Sequence, residues 1–218
     1  MKQILLCVAV LLTGCAAIDT ASLHRACVDS VIALPAPRMD GGMPLMQALK
    51  QRSTSRDFSG RALPLALVSD LLWAANGINR PESGKRTAPS AMNWQETDIY
   101  LVTADGVYLY QPKPHALLLV TTNDLRAATG GQEFVKDAPV NLVYVADLAK
   151  VNSPHADMKE SLVGMDAAFV SQNVYLFCAS EGLATVVRGS VDKEKLAGLL
   201  GLHADQRVTL AQTVGYRK

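Results

Sequence analysis

Two short stretches carry the residue types that could do chemistry. Arg52-Ser53-Thr54-Ser55-Arg56-Asp57-Phe58 places two arginines four residues apart with three hydroxyl side chains between them. Guanidinium groups, hydroxyls and free backbone N–H groups are the partners that a phosphate dianion takes. A cation beside an electron-accepting ring also stabilises the charge that the ring gains. Read alone, the stretch is more readily a solvated basic helix end, which is common and which the helix macrodipole favours. The second stretch is Arg86-Thr87-Ala88-Pro89-Ser90-Ala91-Met92-Asn93-Trp94-Gln95. It lies between an apolar helix pattern that stops at Asn76-Gly77 and a strand pattern that begins at Asp98. Loops placed in this way carry function on a rigid scaffold. Proline suits the side of a flat ring because it brings no N–H donor.

The surrounding pattern fixes the elements that must position these stretches. Met43-Pro44 opens a helix with Leu45, Met46 and Leu49 as its apolar stripe. Leu63, Leu67, Leu71, Leu72 and Ala75 recur at helical spacing, with Trp73 expected in the core. Ile99–Thr103 and Val107–Tyr110 alternate around Asp105-Gly106, a two-residue hairpin signal. A further strand is expected over His115–Val120, with His115 at its edge or on the surface, and Asn123-Asp124 caps a short helix ending at Gly130-Gly131. Val140–Ala146 is a continuous β-branched run and reads as a buried strand. Ser153–Gly182 reads as a long helix, apolar on most sides and therefore buried. Leu183–Val187 is a strand entering Arg188-Gly189-Ser190, followed by a helix over Asp192–Leu200 and a last strand over Val208–Val214. This order is α+β with a mostly antiparallel sheet. No G-x-G-x-x-G follows a strand, which argues against a dinucleotide fold.

Together the two stretches resemble the nitroreductase family of FMN-dependent oxidoreductases. The nearest branch is the compact one that includes the dehydrogenases of azoline-forming peptide pathways. The resemblance runs from about Met43 to Lys218. It implies an obligate homodimer with the long helix at its centre, and FMN as cofactor. Arg52, Ser53 and Thr54 would hold phosphate and ribityl, with Arg56 near N1 and O2 of the ring. Pro89, Ser90 and Ala91 would reach the ring across the dimer interface, with Asn93 and Gln95 as the polar positions that follow and that meet substrate. Gln132 would bond the pyrimidine edge, and Arg188-Gly189 would bring a backbone N–H to N5, where glycine permits close approach. In this reading the chemistry is ping-pong electron transfer from a small donor to a small acceptor, with no protein nucleophile or base. The four histidines are scattered and no Cys-x-x-Cys occurs, so no metal site is expected.

Composition bounds the rest. At 218 residues, 49% hydrophobic and with net charge +1, the chain has core material for one domain and no global charge that would draw nucleic acid. Met1-Lys2 and the apolar run Ile4–Leu12 form an export signal over residues 1–14. Leu12-Thr13-Gly14-Cys15 looks like a lipobox, which makes Cys15 the lipidated residue of an exported, membrane-anchored lipoprotein facing the periplasm or cell surface. No second apolar run is expected to cross a bilayer. Residues 15–42 read as a tether and 43–218 as the folded domain. Cys27 falls in the tether and Cys178 in the long helix, where a free buried thiol is expected. Two other functions stay open: a dehydrogenase of a peptide or other small molecule, and a non-catalytic lipoprotein that binds a ligand or partner. Reduced nicotinamides are scarce outside the cytoplasm, so the donor is left open.

Overall fold

Strand alternation builds a sheet that is buried on both faces. The computed structural model describes residues 31–153 and 155–218. Its main sheet has seven strands: β1 (Val31–Ala33), β4 (Thr97–Thr103), β5 (Gly106–Gln111), β6 (Ala116–Thr121), β7 (Val140–Asp147), β8 (Leu183–Arg188) and β9 (Gln206–Tyr216). Their order is β1-β6-β5-β4-β7-β9-β8, and every pairing is antiparallel. Two small strands, β2 (Ile78–Arg80) and β3 (Lys85–Arg86), make a separate hairpin. Four helices flank the sheet: α1 (Leu45–Gln51), α2 (Leu65–Asn76), α3 (Ala156–Ser180) and α4 (Lys193–Leu200).

Successive strand residues point to opposite faces. Ile99, Leu101, Leu142 and Tyr144 join one core with Leu71, Leu72 and Ala75 of α2 and Val170 and Val174 of α3. Tyr100, Val102, Val143 and Val145 join the other core with Leu196 and Leu200 of α4. The continuous apolar run of β7 follows from this sandwiching. Full burial of Leu71 or Leu72 contributes roughly 2–3 kcal/mol each. Asp192 caps α4 by accepting from Lys195 N at 3.1 Å, and Gly201 stops that helix at φ 66°.

Four expectations change or sharpen. The fold takes in residues before Met43, because β1 pairs with β6 and Leu34 is buried. Arg38 then donates to both carboxylate oxygens of Asp70, through its backbone N and its Nε. Three residues are too few to show a period, and their partners lie far along the chain. The short helix before Gly130-Gly131 is of the 3₁₀ kind, Arg126–Thr129, and a second 3₁₀ helix follows at Glu133–Lys136. His115 is a half-buried bridge with φ 48°, just ahead of β6. Its Nε2 lies 2.6 Å from Ser69 Oγ and its Nδ1 3.0 Å from Tyr110 OH. Ser69 donates to Pro35 O at 2.5 Å, so Nε2 carries the imidazole proton and Tyr110 donates to Nδ1.

The long helix is the fourth case. Asp157–Ser180 is long and apolar enough to cross a membrane by length and composition, yet half of it is buried inside the fold. It is not buried all round either. Met158, Met165 and Phe169 form an exposed apolar stripe at spacings of seven and four. Cys178 is a free, buried cysteine, and burial pushes its thiol far above the ordinary range. Cys15 and Cys27 lie outside the described residues.

Candidate functional site

The arginine stretch leaves the end of α1 and runs beside the sheet edge. Arg52 N donates to Ala48 O at 2.8 Å, closing the helix, and Ser55 N donates to Thr185 O of β8 at 3.0 Å. Tyr175 of α3 holds the stretch from below. Its hydroxyl accepts from Val187 N at 3.1 Å and, with its own proton, bonds Thr54 Oγ1 at 3.0 Å. The Arg52 guanidinium lies 5.3 Å from the Tyr175 ring centroid, within cation–π reach. At the far end of the chain, Arg217 Nη2 donates to Ser53 Oγ at 3.3 Å, and Arg217 pairs with Phe58 through the backbone. Ser53, Thr54, Arg56 and Arg217 are exposed and Arg52 half-buried. Among the described residues, the ion pairs leave Arg52, Arg56 and Arg217 without a carboxylate. Three uncountered cations beside two exposed hydroxyls make an anion cradle.

A second group lies where β8 ends. Arg188 is buried, donating to Thr213 Oγ1 at 2.7 Å and to Asn141 Oδ1 at 3.2 Å. Burial pushes its guanidinium down to about 10. Its side chain therefore turns into the fold, and only its backbone and the exposed Gly189 are left to face a ring. Gln132 Oε1 and Arg188 Nε are buried without partners. Both lie beside Gly130, where a Cβ would sit 3.5 Å from the first and 3.2 Å from the second. Phe134 ties this group to the arginine stretch, 5.2 Å from Phe58 by ring centroids and 5.6 Å from the Arg188 guanidinium.

The proline loop is built differently. Met92, Asn93 and Gln95 all have positive φ, 50°, 57° and 51°. Such backbone costs on the order of 1 kcal/mol or more per residue and persists only when its surroundings enforce it. Gln95 N donates to Ser90 Oγ at 3.0 Å, and Ala91 N to Asp166 Oδ2 of α3 at 2.8 Å. Arg86 Nε donates to Gln95 Oε1 at 3.0 Å, while Gln95 Nε2 reaches Gly84 O and Asn93 Oδ1, each at 3.2 Å. Gln95 is thus engaged inside the loop and braces it. Pro89, Met92 and Asn93 are exposed, Met92 at 83%.

The structure brings Arg52, Ser53, Thr54, Arg56, Gln132, Arg188 and Gly189 to one side of the chain. It does not bring Pro89, Ser90, Ala91 or Asn93 to them. The anchors of the two stretches, Tyr175 and Asp166, are nine residues apart on α3, a separation of ~14 Å along the helix axis. Sequence reading passed over both anchors, and over Glu96 behind the loop. The available signal was a lone acid and a tyrosine inside an apolar helical run.

Comparison with known proteins identifies the family of the chain. The model of the nitroreductase family matches residues 49–216. The chain belongs to the nitroreductase family. It is 30% identical over 166 residues to a nitroreductase-family protein of Methanocaldococcus jannaschii, covering 72% of this chain and 83% of that one. A nitroreductase-family structure from Ralstonia eutropha JMP134 is 41% identical, with TM-score 0.83, covering 87% of this chain and 90% of the other. A third structure, from Desulfovibrio desulfuricans, is in complex with FMN; it is 21% identical with TM-score 0.60, covering 80% and 87% of the two chains.

FMN is the cofactor of nitroreductases, and the residues present fit it. Arg52, Ser53 and Arg217 offer what a phosphate needs, the orphaned Gln132 Oε1 is an acceptor awaiting a donor such as a ring N–H, and Gly189 leaves room at a strand end for a flat group. The same donor set would suit no metal ion, and no cluster of three or more His, Cys, Asp or Glu side chains occurs among the described residues.

Proposed function

We propose that this nitroreductase is an FMN-dependent oxidoreductase working by ping-pong electron transfer between a small donor and a small acceptor, of nitroreductase or quinone-reductase type. The observation that carries the reading is the cradle of Arg52, Arg56 and Arg217, cationic and uncountered, leading along β8 to Gly189. Bound FMN supplies the two-electron chemistry at its N5. The chain's own part is to hold phosphate with Arg52, Ser53, Thr54 and Arg217, and to place Arg56 where negative charge develops. Gly189 leaves space for close backbone approach.

The site is completed by a second copy of the chain. A single protomer holds the two stretches ~14 Å apart along α3, while Met158, Met165 and Phe169 expose an apolar stripe on that helix. Leu45, Met46 and Leu49 on α1, which packs on α3, and Met92 in the loop are exposed as well. A homodimer formed on this face sets the loop of one chain beside the cradle of its partner. Purified protein incubated with FMN and desalted should keep one flavin per protomer, sediment as a dimer and bleach with a chemical reductant. Colourless protein after desalting would overturn the reading and favour the non-catalytic binding protein. The peptide dehydrogenase is the weaker enzyme reading, because azoline-forming relatives use a Lys-Tyr pair and no Lys-Tyr dipeptide occurs here.

The export signal and Cys15 support a lipid-anchored location. Metabolic labelling with a fatty acid should mark the wild type and not Cys15→Ala; a label that survives the substitution would remove the anchor.

A further inference from the structure

Two buried carboxyl groups lie behind the proline loop. Glu96, which follows Gln95 directly, is 0% exposed. Its Oε1 accepts from Thr97 Oγ1 at 3.2 Å, and its Oε2 meets no N–H or O–H donor. Asp166 enters from α3, 4% exposed, and its Oδ2 accepts from Ala91 N at 2.8 Å. The two carboxyl groups are within hydrogen-bonding reach of each other. Burial and the neighbouring Asp166 both disfavour a charge on Glu96. A proton on Glu96 Oε2, donated to Asp166, satisfies the orphaned atom. Asp166 Oδ2 keeps its bond from Ala91 N. Burial first, and the Asp166 charge after it, hold the Glu96 carboxyl above the usual range.

The other groups around the pair leave this arrangement intact. Arg86 is near enough to feel Glu96, but its guanidinium donates to Gln95 Oε1 and to Asn76 O at 3.4 Å. Asp98, next along β4, is held by Lys150 at 3.5 Å. From α2 the pair meets neutral Asn76, whose Nδ2 donates to Thr97 O at 3.0 Å. No lysine or arginine is bonded to either carboxyl among the described residues.

We propose that Glu96 is a positioning residue for the flavin site, a neutral carboxyl that donates its proton to Asp166, keeps Asp166 on Ala91 N–H, and so holds Pro89-Ser90-Ala91, just ahead of the strained Met92, Asn93 and Gln95, in the shape that faces the ring. This rests on the loop standing beside FMN, as set out above. The backbone supports it. Met92, Asn93 and Gln95 hold positive φ with no glycine among them, and such a loop keeps its shape only while its anchor holds. The lock is complete at low pH. It weakens as pH rises through the folded-state titration of Glu96, because a second charge on the pair drives it apart.

The test reads the pair with and without flavin. Trp94 is part of the loop, so its emission in a Trp73→Phe background reports loop shape in the apoprotein. Wild-type emission should change as pH rises from mildly acidic to alkaline, and infrared spectroscopy should detect a protonated carboxyl at neutral pH. Both signals should vanish in Glu96→Gln, whose amide donates at every pH. FMN dissociation constants should rise with pH in the wild type and stay flat in Glu96→Gln. Asp166→Asn and Glu96→Leu should weaken FMN roughly tenfold at neutral pH, with Glu96→Gln restoring most of the loss. A titration of Trp94 unchanged in Glu96→Gln would overturn the proposal, as would absence of the protonated carboxyl. FMN affinity indifferent to all three substitutions would also overturn it, while leaving the FMN reading intact. Failure of the wild type to bind FMN would sink that reading instead, and with it the positioning role.

Discussion

The arginine cradle and the proline loop sit on the same long helix and are built on opposite principles. The cradle is open: its cations are uncountered and its backbone is unstrained, held by a tyrosine hydroxyl that joins Thr54 to Val187 N and by the Ser55 N bond to Thr185 O. The loop is closed upon itself. Arg86 and Gln95 brace it, Asp166 anchors it, and three non-glycine residues are held at positive φ. A group that binds by charge must stay available, so its side chains reach outward with few partners. A group that binds by shape must not move, so its polar atoms are turned inward. The difference teaches that exposure marks the binding half and internal satisfaction the shaping half.

The comparison breaks most severely if the two halves cannot meet. Phe169→Asp places a charge in the apolar stripe of α3 and should weaken dimerisation roughly a thousandfold, with loss of flavin on desalting. Analytical ultracentrifugation checks this, and a dimer that persists would mean the stripe is not the interface. Arg52→Ala removes a phosphate partner from the open half and should raise the FMN dissociation constant roughly ten- to hundredfold. Fluorescence titration reads it; unchanged affinity would move the phosphate elsewhere. Arg217→Ala should act in the same direction but only about three- to tenfold, since that residue is exposed and at the chain end.

Arg56→Ala sharpens the comparison by changing electrons rather than affinity. Loss of a cation beside the reduced ring should lower the flavin midpoint potential by about 30 mV. A potential unaltered in spectroelectrochemistry would place Arg56 away from N1 and O2. The smallest effect is expected outside the site, at His115. Burial holds its imidazole below the ordinary range, so the unfolded chain takes up a proton first as pH falls. Stability from this group is complete above the unfolded value and is lost as pH falls through the folded one. Wild-type melting should drop by ~2–4 °C more between pH 7 and pH 5 than that of His115→Gln.

What sequence made legible was local. Arg52 to Phe58 announced itself because its charges and hydroxyls are consecutive, and Asp105-Gly106 marked a hairpin whose two turn residues are Ala104 and Asp105, one position earlier, with Gly106 already opposite Thr103. Both strands and helices of the main core followed from their periods. What sequence did not show was distant or inward. Asp166 is indistinguishable from a solvated helix acid until α3 is seen to turn it under Ala91. Gln95 was singled out through the resemblance, and its bond from Arg86, which braces the loop, shows only in three dimensions. Arg217 could not be placed until β9 carried it back to Ser53. The uncountered state of the cradle, which carries the functional reading, is a property of the three-dimensional neighbourhood alone.

One consequence follows from β1. This strand is only three residues long and mostly exposed, yet it covers Ala116, Leu117 and Leu118 of β6, the neighbouring strand toward that edge of the sheet. A protein shortened to begin at Met43 would uncover that edge, leaving backbone donors and acceptors unpaired beside the exposed apolar side chains Leu118 and Val120. Bare edges of this kind recruit strands from other molecules. Such a shortened chain should therefore aggregate at concentrations where the protein beginning before Val31 stays dispersed, with its flavin cradle chemically untouched.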